Sequence, residues 1–506
     1  MKNYFAGIMA LLPLAAAGQN TRPNIVLFMV DDMGWQDTSV PFADDTTRLN
    51  RIYETPNMER LARRGAVFTN AYAASISSPS RCSLITGANA SRHRVTNWTL
   101  RRGVSTDDND SLMTPPDWNV NGVAQVDALD HTFAATSFVD LLRQSGYHTI
   151  HVGKAHFGAM DTPGEDPHHW GFEVNVSGHA GGGLASYLGE QRYGHTKDGK
   201  PVSPFAVPGL EKYWDTPTFV TEALTREAIS ALDKARRYNQ PWFLYMAHYA
   251  VHIPFDRDRR FYDKYLAKGL TDHEAAYAAL IEGMDKSLGD LMDYLDRTGQ
   301  TDNTIIIFMS DNGGLASSPE WRDGELYVQN RPLRSGKGSL LEGGIREPMI
   351  VSWPGVTRPG SRINDYVIIE DFYPSLLEMG GVTAYTTRQT VDGVSFVPLL
   401  RGDGHTDPQR ALVWNMPNRW GNVGPGINFN CAIRRGNWKL IYSYTTGHKE
   451  LYNLADDISE EHNLASAHPE LVKELSALLG RLLRERGAQR PTFKTTGQAA
   501  PWPDEI

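Results

Sequence analysis

Cysteine is scarce in this chain: 506 residues carry only Cys82 and Cys431. That count excludes a fold held by a disulfide framework. One bridge is open to the pair, and two separate buried thiols are the expected state. A positive surplus is missing too. Fifty Lys and Arg stand against 59 Asp and Glu, a net charge of −9, which argues against a non-specific nucleic-acid binder. An anionic substrate would have to be captured by local cations against that global field. Long apolar runs are also lacking. The stretch ending in Leu14-Ala15-Ala16-Ala17-Gly18 is shorter than the ~20 residues a membrane span needs, so no transmembrane segment is expected. One lysine, a short apolar run and small residues make residues 1–18 read as a secretory signal peptide. No cysteine follows for a lipid anchor, and export to a periplasm or beyond is expected. Internal repeats and low-complexity tracts are absent.

What is there describes a folded globular protein: 41% apolar and 22% charged residues. Asn24-Ile25-Val26-Leu27-Phe28-Met29-Val30 is an unbroken apolar run, as expected of a strand buried on both faces of a parallel sheet. Helical patterns then alternate with apolar runs at 147–152, 242–246, 304–309 and 349–353. The fold class this predicts is α/β, with a mainly parallel central sheet flanked by helices. Thr271 and Glu274 form a capping-box pattern ahead of a helix over 272–295. Beyond about residue 400, short strand patterns at 437–442 and 450–454 precede a helix over 469–486. The expected organisation is a main domain over 19–400, a smaller α+β subdomain over 401–490 and a loosely held tail over 491–506.

Four strand patterns, ending near Val30, Val152, Met246 and Met309, are each followed at once by acidic, basic or imidazole residues. Ligand crevices in open α/β sheets lie outside the carboxyl ends of the strands. Asp31, Asp32, Asp311 and Asn312 would supply hard oxygen ligands, the chemistry of Ca²⁺ or Mg²⁺ and not of zinc. Lys154 and His156 follow a third strand, His248 and His252 a fourth, and Lys337 sits in a glycine-flanked loop.

The stretch Ser77-Ser78-Pro79-Ser80-Arg81-Cys82-Ser83-Leu84-Ile85-Thr86-Gly87 organises the rest. Proline fits the beginning of a helix and glycine its end. A hydroxyl at Ser77 or Ser78 would then sit at a helix N-terminus, where orphan N–H groups attract anions, with the fork of Arg81 nearby. Ser77, Pro79, Ser80, Arg81, Leu84, Thr86 and Gly87 fall on a pattern that resembles the signature of the type I, formylglycine-dependent sulfatases of the alkaline-phosphatase-like superfamily. Gly153-Lys154-Ala155-His156, Val251-His252-Ile253-Pro254 and Ser335-Gly336-Lys337-Gly338 resemble further motifs of that family.

The resemblance covers about residues 22–465 and implies a sulfuric ester hydrolase. Ser77 would be oxidised to formylglycine (3-oxoalanine) by a maturase, making this a serine-type bacterial member. Asp31, Asp32, Asp311 and Asn312 would hold one divalent cation, Ca²⁺ with Mg²⁺ possible. Arg81, Lys154 and Lys337 would balance charge on the sulfate, His156 would orient the aldehyde hydrate, and His252 would protonate the leaving oxygen, with His248 ranked second. The implied substrate is a sulfated carbohydrate, an O-sulfated galactose or N-acetylhexosamine. Loops over 101–130 and 161–217, long for structureless connections, are expected to wall the pocket. His179, Arg92, His93, Asn418, Arg419 and Trp420 are candidate sugar contacts. Two alternatives are a phosphate mono- or diesterase of the same superfamily and an inactive glycan-binding homologue. The second should lack some of the six candidate catalytic residues, and none is missing.

Overall fold

Asn24–Val30 (β1) lies inside an eight-stranded sheet in a computed structural model that describes residues 22–127, 129–318 and 329–506. The expected signal peptide over 1–18 lies outside the described residues. The other strands are β2 (Ala66–Tyr72), β3 (His148–Gly153), β4 (Val174–Val176), β5 (Trp242–Ala247), β6 (Thr304–Ser310), β7 (Arg346–Ser352) and β8 (Ser361–Ile368). Their order is β8-β2-β7-β6-β1-β5-β3-β4. All pairings are parallel except those of β7, which runs antiparallel to both β2 and β6.

The unbroken apolar run of β1 has the expected cause. Ile25, Leu27 and Met29 enter one buried cluster while Val26, Phe28 and Val30 enter another, so both sheet faces are covered and both parities must be apolar. The helices that cover them include α1 (Pro56–Arg64), α2 (Ser77–Thr86), α3 (Phe138–Gln144), α4 (Val220–Ala235), α5 (Asp272–Arg297) and α6 (Phe372–Met379). The hydroxyl of Thr271 accepts the Glu274 N–H at the head of α5.

A separate antiparallel sheet follows, formed in sequence order by β9 (Ala411–Met416), β10 (Asn430–Arg435), β11 (Trp438–Ser443) and β12 (Lys449–Asn453). Helix α7 (Pro469–Glu485) buries Leu475, Leu479 and Leu483 in the same cluster as Val413, Cys431, Ile433 and Leu440. Lys439 of β11 ties this layer to the main sheet. Its ammonium lies 2.9 Å from Glu342 and 2.8 Å from Glu460, and all three side chains are fully buried. Cys82 and Cys431 are separate buried thiols.

The last residues are not the loose tail that their composition predicts. Thr492–Phe493 pairs antiparallel with Met113–Thr114. The Lys494 ammonium donates to the Asp110 carbonyl at 2.6 Å, and its N–H donates to the Leu112 carbonyl. Ala500 and Trp502 are buried, and the Tyr442 hydroxyl donates to the Pro501 carbonyl. Two apolar side chains at regular spacing from nothing else gave no sequence signal for this packing.

Candidate active site

Strand register assembles the acidic centre. Val30 of β1 pairs with Ser310 of β6 in parallel, so the residues that follow, Asp31-Asp32 and Asp311-Asn312, leave the sheet side by side. Asp32 adopts φ 61°, which turns the chain at once, and its N–H donates to Asp311 Oδ1. Carboxylate oxygens of Asp31, Asp32 and Asp311 lie within 4.8 Å of one another, all buried.

Helix α2 delivers the hydroxyl. Ser77 is its first residue, and all ten of its residues are buried. Gly87 ends it at φ +66°, where an added Cβ would meet Tyr373 at 2.8 Å, so no other residue fits that turn. The Ser77 hydroxyl is 3.1 Å from both Asp31 Oδ1 and Asn312 Oδ1. Lys154 Nζ donates to it at 2.9 Å and to Asp31 Oδ2 at 2.7 Å. Arg81, one turn along, does not reach back to Ser77. Its Nε donates to Asp311 at 2.8 Å and its Nη1 to the Lys154 carbonyl at 3.0 Å and to the Tyr245 hydroxyl.

Lys337 Nζ is 2.7 Å from Asp32, and His252 Nε2 is 3.7 Å from the same carboxylate. His252 Nδ1 lies 2.8 Å from the Ile253 carbonyl. A carbonyl only accepts, so the proton sits on Nδ1 and the Nε2 lone pair is free. His156 has the other tautomer for the same reason. Its Nε2 is 3.0 Å from the Thr99 carbonyl and 2.8 Å from Ser78 Oγ, leaving Nδ1 buried and unpartnered.

Three buried carboxylates face three buried cations, Arg81, Lys154 and Lys337. Burial, with Asp311 and Asp32 nearby, lifts Asp31 to about 7 against the pull of Lys154. Burial would raise Asp32 as well, but Lys337 overcomes it and holds that carboxyl low. Arg81 and Lys154 do the same for Asp311. Burial, aided by Lys337, depresses His252 to about 4; burial and Lys154 hold His156 well below its ordinary value. Both imidazoles are therefore neutral near pH 7. The three carboxylates and the Asn312 amide oxygen form an all-oxygen donor set, which fits a hard divalent cation. The raised Asp31 fits it too, because a second positive charge would keep that carboxyl ionised.

A cleft of about 450 Å³ opens above this centre, lined by Ser77, His156, His252, Lys337 and Trp420 among others. The long loops supply walls as expected, with Thr106 and Asp108 from one and Gly182, Gly183 and Phe205 from the other. Trp98, just ahead of the first loop, also lines the cleft. Sequence reading expected the loops but did not single out these residues, because single aromatics and glycines in a loop have no periodicity to mark them.

Of the six candidate sugar contacts only Trp420 lines the cleft. Arg92 makes a two-pronged pair with Asp392 at 2.8 Å, and His93 is buried 3.0 Å from Ser83. Both follow the far end of α2, a ten-residue helix and so about 15 Å long. Asn418 donates to Asp107, Arg419 Nε faces Asp110 at 3.8 Å, and the His179 carbonyl accepts the His156 N–H. His248, ranked behind His252, points into the core beside Ser287 at 2.8 Å. It is the first residue after β5.

Known proteins place this arrangement. Residues 23–382 match the family model described as Sulfatase, and residues 336–486 match N-sulphoglucosamine sulphohydrolase, C-terminal. A sulfatase of Formosa agariphila is 29% identical over 91% of this chain and 88% of that protein. An N-acetylgalactosamine-6-O-sulfatase of Bacteroides thetaiotaomicron is 27% identical over 91% of this chain and 93% of its own length. The crystal structure of Ps i-CgsB in complex with k-i-k-neocarrahexaose superposes with a TM-score of 0.73 at 26% identity, covering 92% of this chain and 94% of that one. With a family model spanning most of its length, the chain belongs to the sulfatase family and is a sulfuric ester hydrolase.

Proposed function

We propose that this protein removes O-sulfate from a glycan or sugar, an O-sulfated galactose or N-acetylhexosamine, using residue 77 in its formylglycine form and one divalent cation, Ca²⁺ or Mg²⁺. The observation that carries the reading is the Ser77 hydroxyl, within hydrogen-bond reach of Asp31, Asn312 and Lys154 at the head of a buried helix. Sulfated-sugar substrates are supported by the relative that acts on N-acetylgalactosamine 6-sulfate and by the neocarrahexaose complex.

Asp31, Asp32, Asp311 and Asn312 would hold the cation, and the larger Ca²⁺ suits a site rich in carboxylates. When bound, it supplies Lewis-acid polarisation of the attacking and sulfate oxygens. The formylglycine form of residue 77 supplies an aldehyde hydrate as nucleophile. The chain's own residues do the rest. The three local cations balance the three carboxylates, so an added divalent ion leaves the centre net positive and ready to accept a sulfate ester. Lys154 and Lys337 present ammonium groups where charge develops on oxygen, the largest contribution in such transfers. His252 Nε2 would take a proton from water in the cleft and pass it to the leaving oxygen. His156 Nδ1, unpartnered, would accept the proton that the second hydroxyl of residue 77 loses as sulfate is expelled and the aldehyde re-forms. Arg81 holds Asp311 and the Lys154 backbone in register.

The catalytic unit is assigned to 19–400 and the accessory layer to 401–490, with export through residues 1–18 and modification of Ser77 by a bacterial maturase. Mass spectrometry of the Ser77 peptide from native cells should show dehydrogenation to the aldehyde. Matured protein should release sulfate from sulfated sugars, lose activity with EGTA and recover it with Ca²⁺. Equal or greater turnover of phosphate esters, or an unmodified Ser77 in fully active protein, would defeat the reading.

A further inference from the structure

Beyond the sulfate-binding end, the cleft has an uneven chemistry. Its described lining includes Ile76, Trp98, Phe205, Ile253, Leu315 and Trp420, with Thr106, Ser318 and Asn422 as neutral polar groups. Among the described residues lining it, the only cationic side chain is Lys337, already spent on Asp32 at 2.7 Å. Away from the acidic centre one ionised group remains: Asp108, exposed and without a cationic partner among the described residues. The guanidinium of Arg419 faces Asp110 at 3.8 Å.

Asp108 is held in place. Its N–H donates to the Arg419 carbonyl at 3.0 Å. The preceding Asp107 carboxylate accepts from Asn97 at 3.0 Å, from Asn418 at 3.0 Å and from the Arg419 N–H at 3.1 Å. It also accepts from Trp118 Nε1 at 2.7 Å and from the Ser105 hydroxyl at 2.7 Å. Asp107 thus fastens the loop carrying Trp98 and Asp108 to the loop carrying Trp420. A carboxylate on a fixed backbone can accept hydrogen bonds from ring hydroxyls with little ordering cost, and it repels a second anion in the same cleft.

We infer that Asp108 is a specificity-determining residue that selects a hydroxyl-rich ring bearing a single anionic group, the scissile sulfate, and rejects rings carrying a further sulfate or a carboxylate. Asp107 is the positioning residue behind it. This inference rests on the carbohydrate reading above. Aromatic walls supply faces for the ring's C–H groups, and Asp108 contributes the acceptor that a neutral hydroxyl satisfies and a second sulfate cannot.

The test compares two substrates that differ only by one extra sulfate, built on the monosulfated hexose that matured wild type turns over fastest. Wild type should favour the monosulfated ring by about tenfold or more in kcat/KM, the scale of one hydrogen bond to a charged group. Asp108→Asn should narrow that ratio at least about fivefold, chiefly through KM on the disulfated ring, by removing the repulsion. Asp108→Glu should keep the preference. A wild-type preference for the disulfated ring would overturn the inference, as would an Asp108→Asn ratio equal to that of wild type. Wild type is also assayed on 4-nitrophenyl sulfate. Release from that ester but from no sugar sulfate would overturn the carbohydrate reading and this inference with it. Sugar turnover with an unmoved ratio would overturn Asp108 alone.

Discussion

Two adjacent glycines seat the two histidines of the site. An added Cβ at Gly182 would lie 2.2 Å from Cε1 of His156, and one at Gly183 would lie 2.8 Å from Cε1 of His252. Neither glycine needs a left-handed backbone, so alanine strains only the neighbouring ring. Gly182→Ala should displace His156 and Gly183→Ala should displace His252. Each should cost on the order of 10²-fold in kcat, as ångström-scale misplacement of a reacting group does, while thermal unfolding shifts by only a few degrees. Steady-state kinetics and a melting curve on the same preparations check this. The sequence marks the glycines as a Gly181-Gly182-Gly183 run but cannot show what they touch. Of the six candidate catalytic residues, Ser77 heads a helix that Arg81 shares, Lys154, His156 and His252 follow strands, and Lys337 sits in a loop with no element to mark it. The candidate sugar contacts were chosen by residue type near those motifs; Trp420 lines the cleft and the other five do not.

At the scale of elements, the join between the two sheets is ionic and buried. Lys439 of β11 sits between Glu342 and Glu460, and Glu342 also meets Arg346 at 3.3 Å. Replacing Lys439 with methionine leaves two buried carboxylates to share what remains, and breaking such a pair costs about 3–5 kcal/mol. The denaturant midpoint should fall accordingly, and Glu460→Gln in the same chain should restore part of it. Burial alone would raise Glu342, but Lys439 and Arg346 hold it down at about 2. Its contribution is therefore present above the ordinary value of 4.5 and fades as pH falls towards 2. Elements themselves were readable from apolar runs: β1 and β6 begin where expected. The antiparallel direction of β7 was not, because a strand buried on both faces has the same composition whichever way it runs.

Across the whole molecule, burial keeps several histidines neutral. His93, His151 and His248 are each depressed to about 3 from an ordinary 6.5, with burial the leading cause. Between those values the unfolded chain binds protons that the folded chain refuses, so stability falls as pH drops below 6.5. Each such histidine contributes a slope of roughly 1.4 kcal/mol per pH unit. Chemical denaturation between pH 7 and 5 should show that loss. His151→Phe, set among Phe157, Phe172 and Tyr245, should remove one histidine's share of the slope. A slope unchanged by this substitution would mean that His151 protonates in the folded state. Such losses are invisible in composition, since a histidine's burial depends on which sheet face it joins.

The end of the chain has a consequence for its beginning. Thr492 and Lys494 fasten the segment around Asp110–Thr114, a few residues beyond Thr106 and Asp108 in the cleft wall. A chain cut ahead of Thr492 keeps the hydroxyl helix whole yet loses the clasp beside one wall of the cleft. Selectivity can therefore fail while the acidic centre around Ser77 stays intact.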